Sequence, residues 1–214
     1  MARRRWAIPA AMAVLAVAFG QSGFARADYQ DGFAAFEMRD YSRAYEELLP
    51  LAEQGDANAQ NLLGIMFKTG LLGLRDYDSA VTWFERAAEQ ELAEAYYHLG
   101  LIYFQLQAQA PGVPRRPEAV RGFGVENLAH AANLGHVQAQ LYMGHLHAAG
   151  TDVPPDPAQA FMWYQLAAWQ RNSLAAAARD RLVATLTPEQ LAAGKLLARD
   201  WKPRRTVMSV SGGR

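Results

Sequence analysis

From about residue 40 to residue 185, apolar residues recur at helical spacing. Ala59, Leu63, Met66 and Phe67 stand at i, i+4, i+7 and i+8, which on a 3.6-residue period is one buried face. Trp83, Phe84, Ala87 and Ala88 continue the 3-and-4 spacing, and Asp76 to Ser79 offers helix-capping residue types just before that stripe. The pattern predicts helix after helix.

The stripes themselves repeat. The pairs Leu51-Ala52, Ala87-Ala88, Ala131-Ala132 and Ala167-Ala168 lie 36, 44 and 36 residues apart. The same offsets carry Ala59 onto Ala95, Ala139 and Ala175, and Gly64 onto Gly100 and Gly144, with Asp180 breaking the series. Phe67 falls on Tyr103, His147 and Val183; Asp40 falls on Asp76 and, two units on, Asp156. Each unit reads as two helices. Alanines let the axes approach, and the recurrent glycines let a bulky neighbour sit against bare backbone. Gly55 and Gly135 fall between the helices and Gly70 and Gly150 after the second, where a left-handed cap is wanted. A unit this small cannot bury its apolar face alone, so neighbours must stack. The predicted fold is all-α: an α-solenoid of stacked antiparallel helix pairs with N- and C-terminal capping helices. It spans residues 28–202, with units at about 40–75, 76–115, 116–151 and 152–186.

The ends read differently. Residues 30–38 suggest a lone helix packed on the first unit. Thr187-Pro188-Glu189-Gln190 is a capping box opening a helix over 187–202, expected to close the open apolar end of the array. Residues 203–214 read as a disordered tail. Residues 105–117 contain Pro111, Pro114 and Pro117 and read as an exposed inter-repeat loop. In residues 1–27, Arg3, Arg4 and Arg5 precede an uncharged apolar run over 7–19, and Ala25-Arg26-Ala27 is an A-x-A site. Thirteen apolar residues are too few to span a bilayer, which needs about 20, and suit a secretory signal peptide. The expected product is periplasmic or secreted, without a transmembrane helix after processing.

The repeat resembles the Sel1-like repeat family, relatives of the tetratricopeptide repeats. The residues that carry the resemblance are Ala52-Glu-Gln-Gly55, Ala59-Gln60, Leu63-Gly64, Phe67 and Gly70. They recur as Ala132-Asn-Leu-Gly135, Ala139-Gln140, Met143-Gly144 and Ala149-Gly150. Glu91 departs from the pattern where the inter-helix glycine belongs, and the fourth unit lacks the Leu-Gly pair. The resemblance implies a bacterial adaptor or regulator; exported members restrain a sensor kinase or assist envelope and exopolysaccharide assembly. A cysteine-rich branch linked to β-lactams is a poor match, since this chain has no cysteine.

Composition and candidate chemistry narrow the function. Without cysteine there is no disulfide, thiolate metal site or cysteine nucleophile. Net charge is zero over the full chain and −4 after residue 27, unlike a nucleic-acid binder. Ser42, Ser79 and Ser173 each stand near a helix start, where capping is the ordinary role. No G-x-S-x-G or Walker sequence is present, and Gly122-Phe123-Gly124 lacks the strand a phosphate loop needs. His145 and His147 lie roughly 200° apart on a helix, so they cannot share one ion. No metal, cofactor or catalytic residue is expected. Trp83, Phe84, Trp163 and Tyr164 occupy equivalent positions and read as core.

What remains is surface. By analogy with tetratricopeptide repeats, the first helix of each unit lines the concave side. The groove positions are then Glu46, Leu49 and Glu53; Thr82, Glu85 and Glu89; Glu126, Ala129 and Asn133; and Met162, Gln165 and Trp169. The acids outnumber every other type there and no position is basic. The expectation is a non-enzymatic scaffold or regulator whose concave surface receives a basic or amphipathic segment of a protein partner. The alternative is a cell-wall or exopolysaccharide-associated module using exposed aromatics. Export has a direct check: N-terminal sequencing of the exported protein is expected to begin at Asp28.

Overall fold

The structure, a computed structural model, describes residues 28–109 and 119–204. The expected signal peptide lies outside the described residues. Ten helices and no strands make up the described chain: α1 (Tyr29–Glu37), α2 (Tyr41–Glu53), α3 (Ala57–Thr69), α4 (Tyr77–Ala88), α5 (Ala93–Gln109), α6 (Ala119–Asn133), α7 (Val137–Ala149), α8 (Pro157–Trp169), α9 (Ser173–Val183) and α10 (Pro188–Asp200). From α1 to α9 each helix packs on its neighbours in the chain, as a solenoid requires.

Polar side chains start the helices. Asp40, Asp56, Asp76, Asp156 and Asn172 each accept a hydrogen bond from a backbone N–H of the first turn. The serines expected to cap do not: Ser42, Ser79 and Ser173 stand inside the first turn, and the Ser79 hydroxyl donates to Asp76 Oδ2 at 2.6 Å. Ahead of Ser42 and Ser79 an aspartate two or three residues earlier is the better acceptor for N–H groups at the positive end of a helix dipole, and ahead of Ser173 the Asn172 carboxamide takes that place. Gly70 and Gly150 close α3 and α7 in the left-handed conformation. Between helices the same conformation recurs at Gly55, Glu91, Gly135 and Arg171, so the missing glycine at 91 costs strain without changing the turn.

Helix order is set by one recurring contact. A Cβ on Gly32 of α1 would stand 2.6 Å from Leu48 Cγ of α2. A Cβ on Gly64 would stand 2.6 Å from Phe84 Cε1, and one on Gly100 2.7 Å from Leu128 Cγ. Gly144 meets the Tyr164 ring in the same way. The side chains Leu48, Phe84, Leu128 and Tyr164 keep the repeat offsets and are buried in four successive cores. Bare backbone receives a large side chain from the following helix.

Buried glutamines tie the same layers. Gln60 and Gln140 donate from Nε2 to the carbonyls of Ala52 and Ala132 at 2.9 and 3.2 Å. Their Oε1 atoms accept from Gln90 and Gln170, both at 2.9 Å. Each carboxamide joins two helices to the end of the next, and none of these buried polar groups is wasted. In the middle of the array Tyr96 takes the place of this glutamine and stacks on His130 instead.

Three expectations need correction. The stretch 105–117 is not all loop: α5 continues to Gln109, because proline first interrupts the sequence at Pro111. Residues 110–118 lie outside the described residues. The helix expected to close the end of the array does not pack on α9. It lies against α8, where Gly194 meets Phe161 and Ala198 joins the core of α6, α7 and α8. Pro203 and Arg204 are held rather than free, with Arg204 N donating to Asn133 O at 2.9 Å; residues 205–214 are not described.

The glycine contacts give a sign test. Gly64→Ala is expected to destabilise the protein by about 1–3 kcal/mol through overpacking against Phe84, although alanine is the better helix former. Gly122→Ala on α6, where a Cβ meets open space, is expected to stabilise it by up to about 1 kcal/mol. Urea unfolding of the two variants measures both.

Candidate functional site

The first helices α2, α4 and α6 each turn one face outward, whereas α8 is covered along its length and exposes only Trp169 at its end. Glu46, Glu53, Thr82, Glu85, Glu89 and Glu126 are exposed. Two of these acids lie close enough to tyrosines of α5 to disfavour their ionisation. Burial, then the Glu85 carboxylate, raises the Tyr103 phenol above its ordinary range, and Tyr103 lies against Phe123 of α6 at 5.9 Å. Burial, then Glu91 and Glu89, does the same for Tyr96, whose ring is stacked on His130 of α6 at 5.1 Å. Between α4 and α6, therefore, α5 supplies a tyrosine floor edged by glutamates. Sequence reasoning found the acids and missed the floor: Tyr103 was aligned with Phe67 as a core position, and only its partners reveal that it borders the surface.

The expected apolar end of the groove is not open. Met162 is 5% exposed and shares a core cluster with Ala198 of α10, so it is withdrawn from the partner-binding set. No apolar pattern marks this burial, because α10 covers α8 with the small residues Gly194 and Ala198. Gln165 is half-buried and its Oε1 accepts from Arg179 Nη1 of α9 at 3.2 Å. Trp169 is 61% exposed and borders an open cavity with Leu166, Trp201 and Arg199.

On the second helices a polar cluster crosses three units. Lys68 Nζ of α3 lies 2.9 Å from His98 Nδ1 of α5, and His98 Nε2 lies 3.4 Å from Glu94 Oε1. His136 accepts the Ala139 N–H at Nδ1 and caps α7, which leaves Nε2 as the donor to Glu94 Oε2 at 2.7 Å. Tyr97 stacks on His136 at 4.4 Å. Burial foremost, and then the Lys68 ammonium, pushes His98 down to about 4. Burial also lowers Lys68, while the hydrogen bond from His136 lowers Glu94. The cluster links α3, α5 and α7, and among the described residues no group of His, Asp and Glu has metal-holding geometry. His145 and His147 are separate: His145 Nδ1 meets the Tyr164 hydroxyl at 2.8 Å, and His147 is half-buried.

Comparison with known proteins agrees with this architecture. The family described as Sel1 repeat matches residues 57–92, 93–136 and 137–170. Chitin synthase regulatory factor 3 of Schizosaccharomyces pombe is 35% identical over 130 residues, 60% of this chain and 13% of that protein. The alginate biosynthesis protein AlgK of Pseudomonas syringae pv. tomato is 28% identical over 169 residues, 78% of this chain and 34% of that protein. The crystal structure of a Sel1 repeat protein from Oxalobacter formigenes superposes with a TM-score of 0.62 at 27% identity, covering 71% of this chain and 59% of that one. The chain thus spans about a third or less of the two curated relatives. No helix of the described residues is long and apolar enough to cross a membrane.

The buried cluster makes stability depend on acid. His98 stays neutral in the folded chain while its unfolded counterpart takes up a proton, so stability is lost as pH falls from 6.5 towards about 4. Glu94, lowered from 4.5, adds loss in the same direction at the acid end. The expected decrease is on the order of 2–3 kcal/mol, measured as urea midpoints against pH. His98→Leu, the residue type at the equivalent Leu62, is expected to flatten the profile.

Proposed function

The chain belongs to the Sel1 repeat family, and from that premise we propose that it is a non-enzymatic scaffold or regulator of the bacterial cell envelope. Its first-helix face receives a basic segment of another protein. The observation that carries the reading is the α4–α6 surface, where exposed Glu85 and Glu89 stand near Tyr103 and Tyr96, and exposed Glu126 falls on α6 between Phe123 and His130, the partners of those tyrosines. Carboxylates attract Lys and Arg over a distance, and tyrosine faces hold cations at contact. The two curated relatives are named for chitin synthase regulation and alginate biosynthesis, which directs the search for the partner to an envelope-assembly component, beside the sensor kinase that the family resemblance implies. The setting is periplasmic or secreted. The absence of a cysteine nucleophile and of hydrolase motifs in the sequence supports the non-enzymatic part.

A sugar-binding module has less support. The aromatic residues exposed among those described, Phe33, Phe123 and Trp169, belong to three helices, α1, α6 and α8. A polysaccharide platform calls for a continuous row of such rings.

The test begins with crosslinking and pull-down from intact envelope to obtain the partner. Glu85→Lys with Glu89→Lys is expected to slow association roughly tenfold at low salt, with helicity and melting nearly unchanged. Equal association rates and affinities for the variant and the parent would exclude this face.

A further inference from the structure

Among the described helices, α10 leaves the order of the array. Helices α2 to α8 pack on the helices before and after them, whereas α10 packs on α8 and its exit reaches the end of α6 through the Arg204–Asn133 hydrogen bond. The reason lies in α9. Where α3, α5 and α7 present Gly64, Gly100 and Gly144 to the following helix, α9 presents Asp180, which is bonded to Arg179. A carboxylate at that point refuses the large side chain a fifth unit would insert.

On α8 the helix buries little apolar side chain of its own. The buried residues of α10 are Gly194 and Ala198, while Leu196 and Leu197 are 49% and 37% exposed. Beside Ala198 an open cavity of about 470 Å³ runs between Leu134, Leu166, Trp169 and Trp201. The cleft is open to solvent, so its apolar lining stays wet until a side chain covers it. The Trp201 indole N–H is buried with no hydrogen-bond partner among the described residues, a second mark of imperfect fit.

We infer that the face of α8 beneath α10 is a docking surface for an amphipathic helix of a partner protein, and that α10 is its resident occupant in the free molecule. The inference rests on the groove reading above and extends it. The resident displays the chemistry the surface takes. It is a helix with small residues at i and i+4 against Phe161 and the α8 core, followed by Lys202, Pro203 and Arg204 at the end of α6, the helix that carries Glu126. A partner helix with a larger apolar side chain in place of Ala198 fills the cavity and displaces α10.

The experiment uses the full chain, its Gly194→Leu variant and a labelled synthetic peptide of residues 187–204. A side chain at 194 meets Phe161 Cδ1 at 2.8 Å and pushes α10 off. In the parent protein, α10 amides are expected to exchange with solvent at least about tenfold faster than those of α8, because α10 opens without the array. In the variant, α10 loses protection while α3 to α8 keep theirs. The peptide is expected to bind the variant at least about tenfold more tightly than the parent, whose own helix competes, and an Ala198→Leu peptide to bind more tightly still. Exchange of α10 only with global unfolding, collapse of the Gly194→Leu variant, or equal or absent peptide binding by the two proteins would overturn the inference and make α10 a permanent part of the core. Peptide binding that is indifferent to salt and to Glu126→Lys would leave the docking face standing and overturn the acidic-groove reading instead.

Discussion

The solenoid depends on a missing side chain. At Gly32, Gly64, Gly100 and Gly144 the backbone of one helix is bare, and Leu48, Phe84, Leu128 and Tyr164 of the next helix press onto it. Close packing at that depth makes the contact selective in space, because a shift of one residue along the glycine-bearing helix puts a Cβ where the inserted side chain must go. Every other regular feature follows from this seat. It fixes how far α4, α6 and α8 stand from the helices before them, and so keeps Gln60 within reach of Gln90 and Gln140 within reach of Gln170. Where the seat is denied, at Asp180, the order of the array ends.

The repeat was legible because identical physical demands recur at fixed offsets. The glycine series, the aspartate caps and the left-handed Gly70 and Gly150 can all be read from spacing. The fourth seat, Gly32, escaped because it lies before the first full unit, outside the offsets that exposed the others. The placement of α10 escaped for a different reason. Its contact face consists of Gly194 and Ala198, and a helix that docks through small residues leaves no apolar stripe to detect, while Leu196 and Leu197 point a hydropathy reading to the wrong side. The burial of Met162 follows from that placement and shares its invisibility. The acids of the candidate surface were readable from register, since exposure on a helix is periodic. Their tyrosine floor comes from α5, a different element, and no one-dimensional pattern connects Glu85 to Tyr103.

The middle of the array is chemically unlike its flanks. On either side, glutamine carboxamides seal the junctions between units. In the middle, Tyr96 and His130 replace that arrangement, while Lys68, His98, Glu94 and His136 span the second helices. Amides are indifferent to pH and ionisable groups are not, so protonation is felt first at the central junction. The same helix α5 carries the tyrosine floor, which sets the acid-sensitive joint beside the surface that α4 and α6 border.

Asp180 has a consequence for assembly. Stacked repeats carry an inherent danger: a terminal helix with an empty seat is a template on which a second molecule can add, and a head-to-tail contact that does not close on itself propagates into a filament. Here the described array opens with α1, which already offers its glycine to Leu48, and ends with α9, whose seat is charged. Both termini are of the receiving kind and neither is of the inserting kind. Among the described residues, the two terminal helices of the array are therefore not complementary to one another, so α9 of one copy offers α1 of another no seat-and-insert contact of the kind that joins the units.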